Sequence, residues 1–114
     1  MKWLKLFLVV ELLALTAYTV LVIQDQGLNL LPHFFGAIAA VNWQGQFNMD
    51  FLIVLALSGI WVSWRHGHSA AGVVLGLCAA TGGAMFLCVY LLVQIARCGG
   101  DVKALLLGQQ AARV

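Results

Sequence analysis

Charge is scarce in this sequence. Only 9% of its 114 residues are Asp, Glu, Lys or Arg, and 63% are apolar. An ordinary soluble domain carries about 25% charged residues. A chain this poor in charge cannot sit in water without exposing a large apolar patch, so a soluble globular domain is excluded and the bilayer is the natural solvent. Basic runs are absent too. Lys2, Lys5, Arg65, Arg97, Lys103 and Arg113 are scattered, and the net charge is +2, which gives no footprint for nucleic acid. The three cysteines, Cys78, Cys88 and Cys98, are odd in number and follow no CxxC spacing, which argues against a disulfide framework or a zinc site. Their spacing of ten turns about 280° on a helix, so they do not share a face. They read as small apolar packing residues. No HExxH pattern, phosphate loop, nucleophile–base pair, paired carboxylates or internal repeat is present. No catalytic residue, metal ligand set or cofactor is therefore expected.

What is present is long apolar stretches. The first runs over residues 3–23, long enough at about 1.5 Å per residue to cross a core of about 30 Å. It exceeds a signal-peptide core and contains Glu11, so it reads as an uncleaved first transmembrane helix. Residues 29–41 are apolar but short, with Asn29 as a cap and Pro32 in a first turn, which predicts an interfacial helix. Asn42–Asn48, "NWQGQFN", reads as a polar turn. A second span is expected over 49–64 and a third over 70–96, with a tail over 97–114 in which Asp101 caps a short helix ending at Gly108. The expected fold is all-α: a single membrane domain of three antiparallel transmembrane helices plus the interfacial helix.

Orientation stays open at this point. With three spans, Lys2, Lys5 and Arg65 share one side and Arg97, Lys103 and Arg113 the other, a three-to-three tie under the positive-inside rule. Four spans would set five basic residues against Arg65. Three spans fit better, because Gln26–Asn48 carries no Lys or Arg, as an external loop should. Trp3, Trp61 and Trp64 then gather at one boundary, with Trp43 and Tyr90 toward the other.

Two carboxylates stand out. Glu11 lies inside the first span, where an ionisable group is expensive and must be paired, neutralised or hydrated. Antiparallel geometry predicts a pair with Arg65, or with His66. Asp50 opens the second span, where the helix dipole favours an acid, and is expected to face Arg97. His66 and His68 flank Gly67 but lack a third ligand, so metal or haem is disfavoured. Small residues mark packing faces: Gly59 with Ala56, Ser58 and Ser63, then Gly72, Gly76 and Gly83. Gly82-Gly83 is expected to loosen or bend its helix.

Phe34-Phe35, Asn48 with Asp50-Phe51, Trp61, Arg65, Gly72, Gly82-Gly83 and Tyr90-Leu91-Leu92 form a pattern over residues 27–93. In this the chain resembles small bacterial multi-pass membrane proteins of the domain-of-unknown-function type. The resemblance implies a membrane protein with three spans and carries no activity. The reading is a non-enzymatic accessory subunit or scaffold of the cell (inner) membrane, with a membrane-protein partner or a second copy. The alternative is a small oligomeric transporter or channel using Glu11 or Asp50.

Overall fold

The computed structural model describes residues 2–113. Among these it is all helical, with three helices long and apolar enough to cross a membrane. Helix α1 covers Lys2–Gln26, α2 Leu31–Ala39, α3 Trp43–Arg65, α4 Ala70–Cys98 and α5 Val102–Leu107. A 3-10 turn over Gly108–Arg113 follows.

The local chemistry sets most boundaries. Gly27, at φ +82°, stops α1. Pro32 sits in the first turn of α2, but Asn29 does not cap it; the N-cap position is Leu30, without a side-chain bond. Asp101 caps α5, accepting the Lys103 N–H at 3.1 Å. The polar stretch before the second span is helix, not a turn. Asn42 is the N-cap, its side chain accepting the Gly45 N–H at 2.7 Å. Gln44 then bonds Asn48 one turn on at 2.9 Å, and Asn48 donates to the Phe34 carbonyl of α2 at 3.0 Å. Uncharged amides are good enough helix formers when a cap starts them and a neighbour takes their bonds. Gly45 lies directly on the α2 backbone at Ala37, with no room for a Cβ. The second long helix therefore has 23 residues rather than sixteen or so, and Asp50 lies two turns inside it.

The largest departure is in α4. Gly83 has φ 62° and ψ −146°, which breaks the helix in its middle. The break is a reversal. The Gly72 backbone lies against the His66 side chain, and His66 Nε2 is 2.7 Å from the Tyr90 hydroxyl. On a straight helix Gly72 and Tyr90 would be about 27 Å apart. Val62, Ala79 and Tyr90 also share one buried cluster. Residues 70–82 thus climb along α3, and residues 84–98 return. Phe51 and Leu55 lie against the bend. The expected continuous third helix is instead two half-length segments joined at Gly83.

The two halves have different partners. Residues 70–82 meet α3 at glycine: a Cβ at Gly59 would lie 2.7 Å from the Gly76 carbonyl oxygen, so the backbones touch. Residues 84–98 carry α1. Leu8 joins Cys88, Ile95 and Leu105 in a core cluster, while Thr19 reaches Met85 farther along. Lys2 and Lys5 consequently sit beside Ala96, Gly99 and Gly100. Leu8 is the one buried residue of α1.

Candidate functional site

The reversal brings the ends of α3, α4 and α5 together around Arg65. This side chain closes the last turn of α3 and is only 2% exposed. Its Nε donates to the Leu105 carbonyl at 2.6 Å, Nη2 to the Ala104 carbonyl at 3.2 Å, and Nη1 to the Tyr90 hydroxyl. Trp61 Nε1 donates to the Leu106 carbonyl at 3.0 Å. The guanidinium lies 5.6 Å from the Trp61 ring centre and 5.5 Å from that of Tyr90, in cation–π range. Phe86 stacks on Tyr90, with ring centres 5.8 Å apart.

This arrangement explains how a buried cation stands without a carboxylate. The last carbonyls of a helix have no intrahelical partner and carry partial negative charge. Those of α5 are turned onto Arg65 and Trp61. Gln110 ties the following turn back, donating to the Trp64 carbonyl at 3.0 Å. Gly108 packs so closely on Arg65 that a Cβ would collide with its backbone.

The expected charge pairs do not form. Arg65 is committed to α5 and Tyr90, and Glu11 is exposed on α1 with no hydrogen bond among the described residues. Asp50 and Arg97 are both exposed and lie apart, because residues 84–98 return toward Arg65 instead of ending beside the start of α3. Tyr90 moves with them: it meets Arg65 rather than the boundary near Trp43. Ser63 Oγ and His68 Nδ1 are 2.8 Å apart, so that imidazole belongs to the turn. Among the described residues no group of three or more His, Cys, Asp or Glu gathers for a metal. Gly59 and Gly76 meet, Gly72 lies under His66, and Gly83 makes the bend.

Beside Arg65 opens a cleft of about 350 Å³, lined by His66, Gln94, Arg97, Cys98 and Gln109 among others. Its electrostatics act on His66. Burial, then the Arg65 and Arg97 charges, hold this imidazole below its ordinary value of 6.5. The neutral form stabilises the fold fully above about pH 6.5; that contribution is lost as pH falls through the lower folded value, because the unfolded chain takes the proton first. The melting temperature in detergent is expected to hold above pH 6.5 and drop on acidification. His66→Asn should flatten that drop; an unchanged slope would assign it to another group.

No protein-family model, curated protein or solved structure matches this chain.

Proposed function

We propose that this chain is a non-enzymatic accessory subunit or scaffold of the cell (inner) membrane, multi-pass, with its basic end toward the cytoplasm. In this reading α1 and α3 cross the bilayer and α4 enters and returns. Residues 70–82 and 84–98 are each roughly 20 Å long, short of a core of about 30 Å. Lys2, Lys5, Arg65, Arg97 and Lys103 then share one end with the segment that Arg113 closes, and the Gln26–Asn42 end has no Lys or Arg. The tie of a three-span count is replaced by a one-sided distribution, which the positive-inside rule reads as cytoplasmic.

The observation that carries the accessory reading is Glu11. It sits more than two turns into the least buried long helix, with no bond to any described residue. An ionisable group in an apolar span must be neutral, hydrated or paired. A donor on a neighbouring chain, of the same or another protein, meets that need. Accessory subunits associate through such exposed faces. A second reading, a small oligomeric transporter or channel, has the break at Gly83 in its favour, since interrupted helices line many transport sites.

One substitution separates the two. In mild detergent the tagged wild-type chain is expected to run as a complex. Glu11→Gln should weaken that complex about tenfold, the worth of one interhelical polar contact in lipid, and leave monomer stability unchanged. An intact complex with lost proton- or cation-linked flux in vesicles would instead favour the transporter. A wild-type chain that is monomeric and inert in flux would remove both.

A further inference from the structure

The cleft beside Arg65 has the makings of an anion site. The guanidinium has five N–H donors and three are used, which leaves two. Gln94, 9% exposed, lines the cleft and has no side-chain hydrogen bond among the described residues. Its amide is left open to the cleft, so the residue is nearly buried while its donor and acceptor remain free for something bound there. Arg97 stands exposed at the rim and supplies a second positive charge. No acid offsets these charges. Asp25 and Asp50 belong to the other end, Glu11 lies up α1, and Asp101 caps α5.

We propose that this cleft binds the phosphate of an anionic phospholipid, with Arg65, Arg97 and Gln94 as its donors. Arginine suits phosphate because its planar fork offers two parallel N–H groups. The lipid source rests on the membrane reading and on the surroundings. Val93 and Leu106 are 48% and 53% exposed, so apolar surface is open on both helices, α4 and α5, that contribute to the cleft. Basic pockets between helices on the cytoplasmic side are where anionic headgroups bind. A free phosphate compound shares the headgroup chemistry but has no use for that apolar surface.

The test uses the full chain in phosphatidylcholine vesicles doped with spin-labelled phosphatidylglycerol or spin-labelled phosphatidylcholine. The wild type is expected to hold the anionic label selectively. Arg97→Gln, at an exposed position, should reduce that selectivity about tenfold, as one charge-assisted hydrogen bond is lost. Gln94→Leu should reduce it to a smaller extent. Lys103→Gln, at the same end but outside the cleft, should leave it intact. Equal losses for Arg97→Gln and Lys103→Gln would overturn the cleft and leave only the general basic field. Displacement of the label by millimolar inorganic phosphate would overturn the lipid source. Flotation with vesicles but no selectivity overturns the cleft alone; failure to float with any vesicle overturns the membrane reading with it.

Discussion

Gly83→Leu is expected to undo the reversal in α4. At φ 62° and ψ −146° the backbone lies where a Cβ clashes, a region open essentially to glycine. The strain is about 1–3 kcal/mol for a residue held there, and a leucine adds bulk against Phe51 and Leu55. The escape is available: ordinary helical angles at residue 83 turn α4 into one straight helix of 29 residues, about 43 Å long. That helix can cross a bilayer by itself. In the reading above, the wild-type tail returns to the side of Lys2, so a reporter fused after Val114 should read cytoplasmic. In Gly83→Leu the reporter should read external for a large share of the chains. A wild-type reporter on the far side would end the re-entrant reading. Gly83→Ala should lie between the two.

The second large effect is expected at Arg65. Arg65→Met keeps the apolar stem and removes the fork. It leaves the Leu105 carbonyl without its Arg65 donor, the Ala104 carbonyl with the Gly108 N–H alone and the Tyr90 hydroxyl with His66 alone. An orphaned buried polar group costs about 1–3 kcal/mol and a lost bond to a charged group about as much, so roughly 2–4 kcal/mol should be lost, less whatever water recovers. The loss has a location. Residues 102–113 should come loose first, seen as protease sensitivity there before the long helices melt. Arg65→Lys keeps the charge but not the planar fork, and is expected to recover only part of the stability. Equal protease resistance of the tail in Arg65→Met and wild type would show that the α5 carbonyls are held by other contacts.

The sequence was informative where one residue decides. The three long apolar helices follow from run length, and the start of α5 from Asp101. It misled where two readings share one composition. "NWQGQFN" is polar, and polarity before an apolar run suggests a turn; the Asn42 cap and the Gln44–Asn48 pair make it helix instead. The glycine pair at 82–83 signalled a bend but not its angle. That angle is the hinge of the architecture, because it decides which ends meet. With α4 drawn straight, Arg65 is free to pair with Glu11 and Asp50 with Arg97. With α4 folded back, Tyr90 and the α5 carbonyls reach Arg65 first. Nothing in residue spacing marks a main-chain carbonyl as the partner of an arginine, so the Arg65 site was not legible as such.

The packing of α1 has a consequence for assembly during synthesis. Its core cluster joins Leu8 to Cys88, Ile95 and Leu105, residues made about 80 to 97 positions later. α1 therefore waits through most of translation as a lone helix, and its partner exists only once the second half of α4 has been made. Contacts this far apart in sequence close slowly. In the membrane reading proposed above, Glu11 lies unpaired on that lone helix throughout the interval, and a factor that escorts unpaired helices in the bilayer would meet it there.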